Sequence, residues 1–188
     1  IVYQDYVRIH KAIEDRSFFV NKTLQTVLES VKKKKSKLHL MGLVSDGGVH
    51  SHIHHLLALL TAAKQQGVDD VYIHCFLDGR DTPYNSSPVF ITHLESFLAQ
   101  TGIGKVASVS GRFYAMDRDK RWDRVQRAYQ TITEGKGTSS HSALSAIQEA
   151  ADRGETDEFV QPTIVCPDGT IDDQDAVIFF NFRADRAR

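Results

Sequence analysis

The sequence predicts an α/β fold: a three-layer sandwich with a mainly parallel sheet, helices on both faces and a local antiparallel hairpin. Three observations predict it. Short apolar, β-branched and aromatic runs such as Val71-Tyr72-Ile73-His74-Cys75-Phe76 are bounded by turn residues, as buried strands are. These runs alternate with helical stretches of about 10–15 residues, the rhythm of βαβ units. Pro167-Asp168-Gly169 separates two strand-like runs and reads as a hairpin turn.

In chain order, residues 5–37 place Tyr6, Ile9 and Ile13, then Leu24, Val27, Leu28 and Val31, at helical spacing. A break is expected near Phe18-Phe19-Val20, with Asn21 as the N-cap of the second segment. Lys32 to Lys35 and Lys37 suit a helix C-terminus, where the macrodipole favours cations without any partner. Leu38 to Val44 is the first strand and ends in Ser45-Asp46-Gly47-Gly48. A helix with Ile53, Leu56, Leu57, Leu60 and Ala63 on one face follows and stops at Gly67. Val71 to Phe76 is the second strand. In the loop after it, Gly79 permits a sharp turn and Thr82-Pro83 delays the next helix. That helix opens at Ser87-Pro88 and runs to Thr101-Gly102. Val106 to Val109 is the third strand, ending at Ser110-Gly111-Arg112. A long loop from Phe113 to Arg121 precedes a helix with Trp122, Val125, Tyr129 and Ile132, closed by Gly135. Gly137 to Ser140 reads as loop, Ala143 to Ala151 as a short helix and Phe159 to Val165 as a strand. Ala176 to Phe180 reads as a buried strand running into Asn181-Phe182-Arg183-Ala184-Asp185-Arg186.

With 188 residues, 41% hydrophobic and 25% charged, the chain has the composition of one globular domain with a real core. A formal charge of −1 argues against a general polyanion binder, so no nucleic-acid partner is expected. Any phosphate site must be a local concentration of arginine. No apolar run approaches the roughly 20 residues that span a bilayer. The polar start Ile1-Val2-Tyr3-Gln4-Asp5 is no signal peptide, and no membrane partner is expected. Cys75 and Cys166 fit no metal or disulfide spacing and predict reduced thiols in the cytoplasm. The lack of an initiating Met, and the stop directly after a charged motif, suggest a piece of something longer.

The chemistry is expected at strand ends. Parallel strands put their carboxyl ends on one edge, where open α/β sheets bind ligands. Four of these ends deliver polar groups: Asp46 with His50, Arg80 with Asp81, Arg112 with Arg118, and Arg183 with Arg186. Arginines gathered at one rim repel each other unless an anion sits among them. Guanidinium is also the side chain suited to bidentate capture of phosphate and carboxylate. In Asp117-Arg118-Asp119-Lys120-Arg121-Trp122-Asp123-Arg124 most charges read as a salt-bridged loop and helix start, with Arg121 and Arg124 facing water. Only Arg118 takes a ligand role from its position. His50 and His54 are four apart, a spacing that can hold zinc on a helix. The sequence offers no obvious third ligand and no accompanying glutamate, which favours one working histidine, His50.

Val44-Ser45-Asp46-Gly47-Gly48-Val49-His50-Ser51-His52, Phe76-Leu77-Asp78-Gly79-Arg80-Asp81, Ser110-Gly111-Arg112-Phe113-Tyr114-Ala115-Met116-Asp117-Arg118-Asp119 and Phe180-Asn181-Phe182-Arg183-Ala184-Asp185-Arg186 together resemble cofactor-independent (2,3-bisphosphoglycerate-independent) phosphoglycerate mutase. The resemblance is to one part of that enzyme, its inserted substrate-binding or phosphotransferase domain. It implies that residues 1–188 are a single such domain, a fragment of a larger two-domain enzyme whose metal-binding, phosphatase-like domain is absent here. The implied activity is the glycolytic and gluconeogenic interconversion of 3-phosphoglycerate and 2-phosphoglycerate through a phosphoserine. With it come two manganese ions in the full enzyme, none on this chain, and no 2,3-bisphosphoglycerate requirement. By the same resemblance Asp81 is the catalytic residue, moving the glycerate hydroxyl proton. His50, Arg80, Asp81, Arg112, Arg118, Arg183 and Arg186 bind the substrate. The phosphatase-like domain of the same polypeptide is the implied partner, in a cytoplasmic monomer. Neither the Asn-Ser-Glu-Val-Gly-His segment nor the Asp-His-Gly-Asn segment of the family occurs, so the fragment is expected to be inactive alone. Tyr84-Asn85 replaces a second proline often seen after the Gly-Arg-Asp motif. Two other classes stay open on the residues alone: a module that binds a phosphorylated metabolite, and a histidine-cluster metalloenzyme.

Overall fold

Strands buried on both faces require a sheet covered on both sides. In the computed structural model, which describes residues 3–186, β1 (Leu38–Leu43), β2 (Val71–Leu77) and β3 (Lys105–Gly111) form that parallel centre. Leu38 lies opposite Val71 and Leu43 opposite Phe76, and all of β2 is buried. Two short strands, β4 (Thr138–Ser139) and β5 (Thr163–Ile164), extend one edge, and β6 (Ala176–Phe179) pairs in parallel with β1 at the other. The order is β4-β5-β3-β2-β1-β6. Residues Ile1 and Val2 of the expected polar start lie outside the described residues.

Helices α1 (Asp5–Glu14), α2 (Lys22–Lys34), α3 (Ile53–Gln66), α4 (Ser87–Thr101), α5 (Arg112–Ala115), α6 (Trp122–Glu134) and α7 (Ala143–Asp152) surround the sheet. A 3-10 turn, Ser17–Val20, makes the expected break, and the Asn21 side chain accepts the Leu24 N–H at 3.1 Å as N-cap. The alternating residues Leu38 and Leu40 of β1 and Val71, Ile73, Cys75 and Leu77 of β2 share the main core with α2, α3, α4 and α7. Leu43, Phe76, Met116 and Ile132 form a smaller core on the opposite face, under α5 and α6. That second face also carries a polar row across three strands. His39 Nδ1 lies 3.1 Å from His74 Nε2, and His74 Nδ1 lies 2.8 Å from Ser108 Oγ. Asp175 closes the row 3.1 Å from His39 Nε2.

Several local expectations are corrected. The antiparallel element is β5 against β3, Ser108 opposite Ile164, and not a hairpin across Pro167-Asp168-Gly169, which forms a 3-10 turn. The runs on either side of Pro167 part because Lys37 ties the following loop to the start of β1. Its ammonium donates to the Thr170 carbonyl (2.6 Å) and Asp172 (2.8 Å), and its backbone N–H to Asp175 (2.8 Å). β6 is therefore a half-exposed edge strand, with Val177 44% exposed, rather than a buried one. The strand expected from Phe159 to Val165 shrinks to β5, preceded by a 3-10 turn, Asp157–Phe159. The Phe113 to Arg121 loop begins inside α5, and the Gly137 to Ser140 loop contains β4.

At Gly111 the end of β3 meets the Glu158–Val160 segment backbone to backbone. A Cβ there would collide with the Glu158 carbonyl, well inside contact distance, and Gly111 N–H donates to Val160 O at 2.8 Å. Gly111→Ala is expected to cost about 1–3 kcal/mol by overpacking, measured by urea unfolding; a neutral substitution would show that the Glu158 segment yields freely.

Burial, and secondarily His39, pulls His74 from 6.5 down to about 3. The unfolded chain takes that proton near 6.5 and the folded chain resists it. The stabilisation is thus complete above about pH 6.5 and is lost as pH falls toward about 3. Urea midpoints should drop between pH 7 and pH 4, and His74→Phe should flatten the slope by up to about one proton. An unchanged slope would remove His74 from the account.

Candidate functional site

β1, β2, β3 and β6 run parallel, so the four predicted strand ends do share one rim. What fixes their loops is Asp78, a fully buried carboxylate at the end of β2. Its Oδ1 accepts the backbone N–H of Asp81 (2.9 Å) and Arg80 (3.2 Å), a local turn made accessible by Gly79 at φ 69°. Its Oδ2 accepts the Ser45 hydroxyl at 2.7 Å, which fastens the loop after β1. The same carboxylate takes Arg112 Nη1 at 2.7 Å.

Arg112 is 2% exposed and bridges two acids, since the same Nη1 lies 2.6 Å from Asp81 Oδ2. Burial disfavours its charge, but hydrogen bonds to Asp81 and Asp78 outweigh that and hold its pKa above the usual guanidinium value. His50 is buried beside them, its Nε2 3.9 Å from Asp81 and its Nδ1 3.9 Å from Asp185. Burial and then the Arg112 charge lower the His50 pKa. His50 Nδ1 and Asp185 Oδ1 face each other with no hydrogen-bond partner among the described residues, too far apart to bond directly. A hydroxyl or water between them would satisfy both.

A cavity of about 300 Å³ opens beside this clamp, lined by Arg80, Arg112, Arg118, Arg124 and Arg186 against Asp117, Asp119 and Glu158. Phe113 and Phe159 form its apolar walls. Arg80 reaches Glu158 at 3.4 Å, and Arg118 reaches Asp185 at 3.3 Å. Arg183 stands on the His50 side, 3.1 Å from Asp185, rather than in this cavity. Arg186 donates to the Met116 carbonyl at 2.9 Å, while its Nε is buried without a partner. Burial, then the charges of Arg118 and Arg112, lower its pKa, so an added anion beside it would stabilise its cation. A larger cavity, about 450 Å³, lies between α4 and α7 but is mainly apolar and gathers no cations.

The other predicted groups separate from this cluster. Asp46 is exposed, and its charge acts on His52 and His54. His50 precedes α3 and points into the rim, so it does not pair with His54. Instead His10 of α1 joins His52 and His54, with one ligand nitrogen from each within 4.8 Å of the others. His10 went unnoticed because only the packing of α1 on α3 brings it there. Asp78, Asp185, Glu158 and Arg124 were likewise missed as site residues. Arg124 does not simply face water: it pairs with Asp117 at 3.4 Å and lies 3.8 Å over the Phe113 ring. Asp78 had a readable signal, an aspartate immediately before a glycine at a strand end. Asn181, whose Oδ1 takes the Leu43 N–H at 2.9 Å, had none.

Residues 9–188 match the family model described as BPG-independent PGAM N-terminus. A protein of Symbiobacterium thermophilum named 2,3-bisphosphoglycerate-independent phosphoglycerate mutase is 54% identical over 189 residues, covering 100% of this chain and 37% of that protein. One of Clostridium beijerinckii with the same name is 53% identical over 192 residues, covering 100% of this chain and 38% of its own. A crystal structure of Leishmania mexicana phosphoglycerate mutase at low cobalt concentration superposes with a TM-score of 0.91 at 34% identity, over 97% of this chain and 36% of that one. The chain thus spans little more than a third of the length of these relatives.

Asp78→Ala should destabilise the chain by about 3–5 kcal/mol, because it leaves Arg112 buried with half its pairing gone. Arg80→Ala, at an exposed pair, should stay within about 0.5 kcal/mol. Urea unfolding of the two variants compares them, and equal stabilities would mean that Asp78 is not the anchor.

Proposed function

The chain belongs to the family of BPG-independent phosphoglycerate mutase N-terminal domains, and from that premise we propose that residues 1–188 are its substrate-binding domain. In this reading the domain holds 2- or 3-phosphoglycerate while a second domain of the same polypeptide exchanges the phosphoryl group. The observation that carries the reading is the buried Asp78–Arg112–Asp81 clamp opening on an arginine-lined cavity at the carboxyl rim of parallel strands. A phosphoglycerate has two anionic groups and a hydroxyl, and the rim offers guanidinium on two sides of one acid and one histidine.

Arg80, Arg118 and Arg186 would neutralise one anionic group from the cavity wall, with Arg183 approaching from the His50 side. Arg80, Arg118 and Arg183 already face carboxylates at the surface, and a bound anion would compete with those weak pairs, while Arg186 would keep its bond to the Met116 carbonyl. Asp81 would take the proton of the glycerate hydroxyl and return it to the other oxygen. Arg112 holds that carboxylate in place. His50 would accept or donate across the gap to Asp185, positioning the hydroxyl.

The relatives' names carry independence from 2,3-bisphosphoglycerate. The two manganese ions implied by the resemblance find no fitting donors in this rim. Asp78 and Asp81 are engaged with Arg112, and the one cluster of potential ligands among the described residues is all imidazole, while manganese favours carboxylate oxygen. No step on this chain is therefore routed through them. No helix among the described residues is long and apolar enough to cross a membrane. A cytoplasmic monomer is part of the proposal, consistent with Cys75 and Cys166 both being free.

The test is made in the full-length polypeptide. Asp81→Asn keeps the size of the side chain but removes the base, and turnover should fall by roughly 10²–10⁴ while phosphoglycerate still binds. Arg80→Ala should harm binding and turnover together, since its partner is anionic throughout the cycle. Near-normal turnover of Asp81→Asn would transfer the base to His50.

The isolated chain should bind 3-phosphoglycerate weakly, on the order of 4–5 kcal/mol, and less tightly as salt rises. Calorimetric affinity unchanged on replacing Arg183 and Arg186 together would take both out of the pocket.

A further inference from the structure

Where α1 crosses the start of α3, four imidazoles pack against each other away from the arginine cavity. Ring centroids of His52 and His54 are 4.6 Å apart, those of His10 and His52 5.0 Å, and those of His10 and His54 5.9 Å. His10 Nδ1 lies 3.0 Å from His55 Nε2, and His52 Nδ1 accepts the His54 backbone N–H at 3.2 Å as the N-cap of α3. These bonds occupy one nitrogen of His10 and one of His52, and leave Nε2 of each for another partner. Nearby imidazole lone pairs repel unless a proton or a cation stands between them. Tyr6 walls the group, its ring centroid 4.6 Å from that of His10 and 5.6 Å from that of His52.

We propose that His10, His52 and His54 form a binding site for a borderline divalent transition metal, with Zn²⁺ as its natural probe. One nitrogen from each already lies within 4.8 Å of the other two. Tetrahedral zinc with bonds of about 2.0–2.1 Å needs its nitrogens about 3.3 Å apart, a closure that imidazole rotation can supply. Three imidazoles select Zn²⁺, Co²⁺, Ni²⁺ or Cu²⁺ over Mg²⁺ and Ca²⁺, which take oxygen. His55, bonded to His10, acts as the outer partner that fixes the ring and leaves Nε2 for the ion. Glu14, one helical turn beyond His10, lines the same groove as His10 and His54, so the fourth position is open to it or to water. The exposed Asp46 adds negative charge near His52 and His54.

The ion would act as a clasp. α1 has no buried residue of its own, and a bond from His10 to the N-cap of α3 would pin it. The same N-cap is two residues from His50, so the clasp also braces the loop that carries that histidine into the phosphoglycerate rim.

The test uses the tag-free chain, stripped with chelator and titrated with Zn²⁺ against a chromophoric competitor. About one Zn²⁺ per chain is expected, with His10→Gln and His54→Gln each weakening it roughly tenfold or more. His141→Gln, at an exposed site in the loop before α7, should bind as the parent does. At equal concentration Zn²⁺ should raise the melting temperature of the parent by more than that of the two variants. His54 is exposed, so His54→Gln keeps the fold even if His10→Gln does not. Cobalt substitution gives a second readout, an intense visible band in the parent that is lost in His54→Gln. A parent that takes up no zinc at micromolar concentration, or a His54→Gln variant that binds like the parent, would overturn the site.

Discussion

The structure turns on one buried carboxylate. Asp78 is the point where the end of β2, the loop after β1 and the first residue of α5 are fastened together through Ser45, Arg112 and its own following backbone. A lone carboxylate in that position would be costly to bury, and Arg112 alone would be as well. Together, with Asp81 as a third member, they form a network in which each charge satisfies another. Arg80, Arg118 and Arg183 need no such support, since they are about half exposed and pair with carboxylates at the surface. A buried neutralised floor with a solvent-facing cationic wall follows from this division.

The two faces of the sheet are built differently. One is a continuous aliphatic core under α2, α3, α4 and α7. The other mixes a small apolar cluster under α5 and α6 with the row Asp175, His39, His74 and Ser108. Placing the polar row on the thinner side lets its outermost acid reach Lys37 at the protein edge. Positive charge there balances Asp175 without a cation being fully buried.

Much of this was legible in the sequence. The parallel centre was readable because β1 to β3 are short, mainly apolar runs separated by amphipathic helices, two signals that reinforce each other. Four strand ends were correctly assigned to one rim, because that depends only on strands being parallel. Pairing partners were less accessible. Nothing local in Pro167-Asp168-Gly169 says that the next strand returns to β1 instead of folding back, since Lys37 decides it from far away in sequence. The site was read best where charge is conspicuous and worst where it is neutralised. Arginines announced themselves, while Asp78 and Asp185, which orient them, looked like ordinary turn residues. His10 could not be joined to His52 and His54 from periodicity, because helix packing alone makes them neighbours.

Lys37 and Asp175 meet across 138 residues, as do Leu43 and Asn181. Contacts of such span close a long loop and are the slowest to form. β1, β2 and β3 are successive in the chain and can assemble with α3 and α4 before β6 arrives. The rim residues that follow β6 would then join a sheet that is already folded, so ligand-binding competence would be the final event of folding rather than an early one. Pulse-labelled hydrogen exchange would register this order as protection of the β2 amides ahead of those in residues 176–182, and simultaneous protection would refute it.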